Sequence, residues 1–454
     1  MDLDRRHFLN ASATGLAAGG IASSTAQAAA LPSTLGRDAS QYGVRPNLPD
    51  DQTKALQRAI DDCARAQAPL ALPPGTYRTG PLLLPNGAQV TGVHGASRLQ
   101  FTGGAALFES RGADGITLAD LVIDGGAFAL PPRRGLVHLQ QGHDVRVLGC
   151  DIAASGGNGI WLDAIAGEIR GNAIHDIAAT AIVSFDALGL IVAGNTIRKT
   201  SDNGIEILRT AIGDDGTLVL DNRIDGIRAG PGGSGQYGNA INAFRAGNVI
   251  IRGNRISDCD YSAVRGNSAA GIQIVGNSVT NVREVALYSE FSFEGAVIAG
   301  NTVDGAAVGV SVCNFNVGGR LAVVQGNIIR NLLPKRPIGT APDDDAGIGI
   351  YVEADTAVSG NVIENAPSFG IVAGWGRYLR DVAVSGNVVR NAAVGIGISV
   401  APGAGTALVN GNMISGATKG AVVGLDHATP ITADLTREAT SGFRQIALGH
   451  NSVT

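Results

Sequence analysis

A set of polar, charged and aromatic residues recurs at equivalent places in a repeated phrase, and these residues could do chemistry. In order they are Trp161, Asp163, Glu206, Asn242, Arg245, Arg265, Asn267, Tyr288, Glu290 and Tyr351. Arg265, with Arg245 close by, offers a cation for a substrate carboxylate. Tyr288 offers a base or acid, and Glu206 a carboxyl group. That trio suits proton abstraction beside a carboxylate, the step a uronate lyase or epimerase needs, so Arg265, Tyr288 and Glu206 are the candidate catalytic residues. Trp161, Asp163, Asn242, Arg245, Asn267, Glu290 and Tyr351 are the candidate substrate contacts. Glu206 and Glu290 could also hold Ca²⁺, which takes several carboxylate oxygens; no other cofactor is expected. The competing reading of the same column is a solvated ladder of salt bridges and stacked side chains. The histidines, His94, His138, His143, His175, His427 and His450 among them, show no metal-ligand spacing.

Positioning such residues falls to a repeat. Two or three alternating apolar residues precede Gly-Asn, and an apolar residue follows two further on. The phrase reads EIRGNAI at Asn172, LIVAGNTI at Asn195, LVLDNRI at Asn222 and IIRGNRI at Asn254. It continues at Asn277, Asn301, Asn327, Asn361, Asn387 and Asn412, with a degenerate copy at Asn451. Nine intervals separate Asn172 from Asn412, a mean period of about 27 residues. A second phrase follows most copies by eight or nine residues, as in GIWL from Gly159, GIEI from Gly204 and GVSV from Gly309. Alternation means strands with one buried face. Strands this short are stable only when stacked, so the expected architecture is a coil of three parallel strands per turn, a parallel β-helix. Gly and Asn at the corner tolerate positive φ, and stacked Asn side chains form a ladder.

In the second phrase the residue between two inward apolar positions faces out. The expected outward column is Trp161, Val183, Glu206, Asn242, Arg265, Tyr288, Ser311 and Gly349. A parallel column two residues on holds Asp163, Phe185, Leu208, Phe244, Asn267, Glu290, Cys313 and Tyr351. Coils lie ~4.8 Å apart. Glu206 and Glu290 are therefore ~14 Å apart and Asp163 and Glu206 ~10 Å, wide for hydrolytic acid/base pairs at ~5–9.5 Å. Two turns expand, to eighteen residues before Ala240 and twenty before Gly347. They would wall a groove over the coils of Asn242 to Ser311.

The first residues read as an export leader: Arg5-Arg6-His7-Phe8-Leu9, a weakly apolar stretch, then Ala26-Gln27-Ala28. Paired arginines and an A-x-A site are those of a twin-arginine signal, implying the Tat export machinery as a partner and a periplasmic or secreted protein. The stretch is too short and polar for a stable membrane span. A net charge of −5 argues against nucleic acid as a partner. Gly supplies 65 of 454 residues and aromatics only 4%, so the core must be aliphatic. Cys63, Cys150, Cys259 and Cys313 lie far apart; a disulfide is open to them, but four small buried hydrophobes is the favoured reading.

YGV at Tyr42 to Val44, DDQTKALQRAID from Asp50 and LALPPGTYRTGPLLLP from Leu70 add to the repeat. With VTGVHGASRLQF from Val90, they make the chain similar to the pectin-lyase-like, right-handed parallel β-helix superfamily. The twin-arginine leader joined to this repeat resembles the twin-arginine-translocated uncharacterised repeat proteins, which imply no activity. SDNGIEI from Ser201 resembles one motif of polygalacturonase-type hydrolases, whose other motifs are absent. The expected fold is all-β, a right-handed single-stranded β-helix of about 11–12 coils. Residues 1–28 are the leader, 29–110 the N-terminal cap and first coils, and 111–454 the repeats. Asp51 to Ala66 forms a capping helix with Leu56, Ile60, Cys63 and Ala64 on its buried face and Asp50 or Asp51 as N-cap. The expected function is action on a polysaccharide or oligosaccharide, as uronate lyase or epimerase before hydrolase. The alternative is a non-catalytic glycan-binding or envelope-structural solenoid.

Overall fold

Short aliphatic strands separated by left-handed corners wind into a parallel β-helix in the computed structural model, which describes residues 36–340, 345–437 and 442–454. The leader expected at 1–28 lies outside the described residues. About 14 turns stack along the axis, more than the Asn phrase alone reads, because the coils before Asn172 lack that Asn. Each turn gives one strand to each of three sheets. In the coil around Asn222 these are Leu218–Leu220 in the first sheet, Arg223–Ile227 in the second and Ile241–Gly247 in the third. Every strand pairs in parallel, in register, with its counterpart one coil along. Val192, Val219, Ile251, Ile274 and Ile298 stack as one fully buried inward row. Antiparallel pairing among the described residues occurs in the hairpin of Val422–Asp426 with Thr429–Asp434 near the C-terminal end and in the isolated bridge of Trp375 with Tyr378.

The corner between the first and second sheets explains the Gly-Asn phrase, with the two residues in different roles. Positive φ belongs to the residue before Asn: Gly171 at 68°, Gly253 at 69°, and, where glycine is replaced, Asp221 at 55° and His450 at 49°. Asn itself stays out of the left-handed region and serves the ladder, so the expectation that it shares the strained turn is corrected. From Asn172 to Asn412 each Nδ2 donates to the next coil's Asn Oδ1 at 2.9–3.0 Å. Each also donates to a strand carbonyl, as Asn254 does to Val219 at 3.0 Å. A buried amide is tolerated because all its polar atoms are satisfied.

Helix α1 (Thr53–Arg65) buries Leu56, Ala59, Ile60 and Cys63 against the first coil. The covered edge is one that would otherwise pair with another chain. Its N-cap position is Gln52, occupied with the Arg45 backbone; Asp51 still caps by accepting from Thr53 N at 2.9 Å. All four cysteines are buried and free, so no disulfide braces the chain.

Candidate functional site

On the third sheet, alternation turns every second residue outward. Register places Trp161, Val183, Glu206, Asn242, Arg265, Tyr288 and Ser311 in one outer row. The row continues to Tyr351 instead of Gly349, because Ser311 pairs with Tyr351. The phrase at Gly347 begins two residues earlier than the one at Gly309, and aligning first glycines slips the column. Gly309 stacks against Gly349, where a Cβ would meet the Gly349 carbonyl oxygen at 2.6 Å. The neighbouring outer row is Asp163, Phe185, Leu208, Phe244, Asn267 and Glu290. In the last coils the outer row runs from Gly397 to Val423, while Val422 faces the core.

The middle of the row is a closed charge cluster. Arg265 is 8% exposed and forks onto Glu290, Nε to Oε1 at 2.7 Å and Nη2 to Oε2 at 3.0 Å. Its Nη1 lies 3.4 Å from Glu284 Oε2, and the guanidinium stacks 4.9 Å over the Tyr288 ring. Burial works against the Arg265 charge, but Glu290 and Glu284 outweigh it and its pKa is raised. Asn267 donates to the same Glu290 oxygen at 3.1 Å. The cation expected to meet a substrate is thus already neutralised. Burial, with Cys313 and Glu290, pushes the Tyr288 hydroxyl well above its ordinary pKa, which keeps the proton on and works against a role as base.

Glu284 is the central residue that the column reading misses. It is 2% exposed and accepts from Ser262 at 3.1 Å, Ser234 at 2.5 Å and Arg336 at 3.5 Å as well as Arg265. It sits in the turn just before its strand, outside the small-apolar-x-apolar phrase.

Glu206 belongs to another group. Asn203 Nδ2 donates to Glu206 Oε1 at 2.7 Å and to Asp202 Oδ1 at 3.2 Å. Burial, with the nearby Asp202 charge, pushes Glu206 up to about 8, and burial pushes Asp202 up to about 6. Asn242, buried, lies between Glu206 and Arg265 in the row. Glu206 and Glu290, the expected Ca²⁺ pair, serve different partners, and no group of three or more His, Cys, Asp or Glu among the described residues could hold a metal ion.

The remaining expected contacts lie elsewhere on the face. Arg245 turns away at φ 60°, donates to the Thr210 carbonyl at 2.9 Å and covers Phe244 at 4.7 Å. Trp161 lies between Arg133 at 5.9 Å and a nearly parallel His138 ring at 6.3 Å, and Asp163 accepts from Gln140 at 3.2 Å.

Both long loops leave the corner between the second and third sheets. Ser234 N donates to the Gly339 carbonyl at 3.4 Å, and Tyr261 Oη to the Ile338 carbonyl at 3.1 Å. Asn203 and Asn239 tie down the carbonyls of Gly235, Gln236 and Tyr237. The loops therefore meet and roof the middle coils, where an open groove was expected. Another excursion at this corner, residues 125–134, ends on Arg133 and Arg134; it precedes the first ladder Asn and gave no repeat signal.

An open recess of about 390 Å³ lies on the C-terminal side of this roof, within the ~300–1,000 Å³ range of small-ligand sites. Tyr288, Ser311, Tyr351 and Glu353 form its floor, Arg336 and Asp345 one side, and Asn314, Asn316, Trp375 and Tyr378 the other. Tyr351 Oη donates to Glu353 Oε1 at 2.8 Å and Phe315 N to Oε2 at 2.6 Å. Burial raises the Glu353 carboxyl despite these bonds. Of the expected site residues, Tyr288 and Tyr351 reach this recess. Trp375, Tyr378 and Glu353 were missed because they stand in or beside corners after the third sheet.

No helix among the described residues is long and apolar enough to cross a membrane. No curated protein sequence matches the chain. Among solved structures it is similar to PfbA, a surface adhesin of Streptococcus pneumoniae, at 16% identity and TM-score 0.50, covering 88% of this chain and 95% of that one. It is also similar to the pre-mature bacteriophage phi29 gene product 12, at 13% identity and TM-score 0.51, covering 88% of this chain and 58% of that one. These likenesses concern the fold. The model of the right-handed β-helix region matches residues 97–213 and 210–380, more than half of the chain, and with the stacked parallel coils this places the protein in the right-handed β-helix family.

Proposed function

We propose that this protein binds a polysaccharide or oligosaccharide in the recess between Tyr351 and Trp375, as an exported, non-catalytic β-helix. The observation that carries the reading is the recess itself: Tyr288, Tyr351, Trp375 and Tyr378 in a chain poor in aromatics, beside Asn314, Asn316 and Glu353. Rings that take the apolar face of a sugar, with amide and carboxyl groups for its hydroxyls, suit a glycan. Lyase or epimerase chemistry, the first expectation, loses support, since Arg265 is neutralised and Tyr288 holds its proton. A surface adhesin is built on the same kind of solenoid. Export by the twin-arginine route is part of this proposal and rests on the Arg5-Arg6 leader.

Hydrolysis keeps one specific observation. Asp202 near 6 and Glu206 near 8 would stand ionised and protonated at pH 7, the split that a base and an acid use. Asn203, which donates to both carboxyls, also donates to the Gln236 carbonyl at 2.7 Å, and neither acid lines the recess.

The test is a glycan array followed by titration calorimetry, with reducing-end and unsaturated-uronate assays on each binder. Binding without turnover, weakened about tenfold or more by Trp375→Ala or Tyr378→Ala, is the expected result. Turnover abolished by Glu206→Gln would instead establish the hydrolytic reading.

A further inference from the structure

Five arginines among the described residues stack on aromatic rings, and all lie on or beside the outer face of the third sheet. Arg133 covers Phe185 at 5.6 Å as well as Trp161, Arg245 covers Phe244, and Arg377 covers Tyr378 at 5.3 Å. Arg265 and Arg380 cover Tyr288 and Phe315. The last two are ion-paired, Arg265 to Glu290 and Glu284, Arg380 to Asp355. Arg133, Arg245 and Arg377 have no carboxylate partner among the described residues. Other arginines without one, such as Arg223 and Arg255 on the second sheet, are exposed and have no ring to hold them.

The difference matters physically. A ring-held guanidinium has already lost much of its rotamer freedom, so less is lost when it binds. Its planar edge is a fork matched to carboxylate or sulfate oxygens, although Arg245 Nη1 already donates to the Thr210 carbonyl. Two acids line the same pocket as Arg133 without an ion pair to it: Asp163 accepts from Gln140 and Asp186 from Thr210. His138, stacked against Trp161, is held neutral by burial, its pKa lowered to about 4, so the positive charge at this end comes from the arginines.

The three line up. Phe185 and Phe244 share one outer row two coils apart, ~10 Å by the strand spacing. Arg377 stands in the corner after Ala373, five coils beyond Phe244, ~24 Å along the axis. Arg245 comes directly after Phe244, the last residue of its strand that pairs with the next coil, and Arg377 follows the end of its strand; both stand on the opposite edge from the corner that sends out the roofing loops. Arg133 reaches across to that edge through Phe185.

We propose that Arg133, Arg245 and Arg377 form a track for anionic groups, carboxylate or sulfate, so that the glycan bound by this protein is an acidic polysaccharide lying along this edge. That the charges sit on a glycan rests on the reading of the recess; the preference for anions rests on the three arginines.

The test compares the full-length protein with Arg133→Gln, Arg245→Gln, Arg377→Gln and the triple variant. The probes are oligogalacturonate, the same chain methyl-esterified, and a sulfated oligosaccharide, each titrated at two salt concentrations. Unchanged melting temperatures establish that the variants are folded. The expected result is a charged chain bound more tightly than its ester, weakened about tenfold by each substitution and more by the triple. Affinity for the charged chain should also fall with salt. Equal affinity for acid and ester, an unaffected triple variant, or no binding of any charged probe would overturn the track. Trp375→Ala separates the two readings. Charged-chain binding that depends on the arginines but not on Trp375 sinks the recess and keeps the track. Neutral-chain binding that depends on Trp375 but not on the arginines does the reverse.

Discussion

At the scale of single residues, the buried charges are the sharpest test of the site. Glu290→Ala removes the forked partner of a guanidinium that is 8% exposed. Breaking a buried pair from one side costs about 3–5 kcal/mol, a loss to be read as a lower urea midpoint with an unchanged slope. Glu206 gives a pH prediction with a definite sign. Unfolded carboxyls ionise near 4, whereas folded Glu206 ionises at about 8. The folded state therefore keeps the extra proton in between: this contribution is full below about 4 and is lost as pH rises towards 8. Asp202 acts with the same sign up to about 6, and His138, lowered to about 4, loses stability in the opposite direction, as pH falls below about 6.5. Between pH 6.5 and 8 the wild type should therefore lose stability, and Glu206→Gln should flatten that slope in urea titrations. Arg265, Tyr288, Glu290 and Asn267 were legible as neighbours because strand register follows from the repeat. Their protonation and pairing were not, since these depend on Glu284 and on loops that the phrase does not cover.

At the scale of elements, the ladder and the loops make separate predictions. Asn277→Ala leaves the Asn254 side chain, the Asn301 oxygen and the Ile251 carbonyl each short of a partner. At about 1–3 kcal/mol per unsatisfied buried group, it should cost far more than Asn451→Ala at the last rung, which is only half-buried. Denaturant unfolding of the two variants checks the order. The ladder was legible from sequence because identical side chains recur at one corner. The excursion at residues 125–134 was not, since it lies before the first ladder Asn and nothing marks its corner. Two long loops were seen as insertions, but that they close over the face depends on contacts such as Ser234 with Gly339, which loop length does not encode.

At the scale of the molecule, one stacked core turns its apolar side chains inward, and the proposed binding site lies on the outer face of the third sheet. Inward positions are filled mainly by Val, Ile, Leu and Ala; Tyr77, Phe101, Phe108 and Phe293 are buried in the core, while Tyr288, Tyr351, Trp375 and Tyr378 line the recess. The fold class, the three strands per coil and the capping helix followed from periodicity, because burial dictates alternation. The recess did not, because Trp375 and Tyr378 stand in a corner with no repeat partner, and only the coiling brings them beside Tyr351. Calorimetry should give Trp375→Ala and Tyr378→Ala a melting temperature close to that of the wild type, since neither ring belongs to the buried core. The most direct measurement is a crystal structure of the protein with an oligosaccharide selected from the array. The account predicts sugar density between Tyr351 and Trp375, within hydrogen-bond reach of Glu353. Density elsewhere with that recess empty would contradict it.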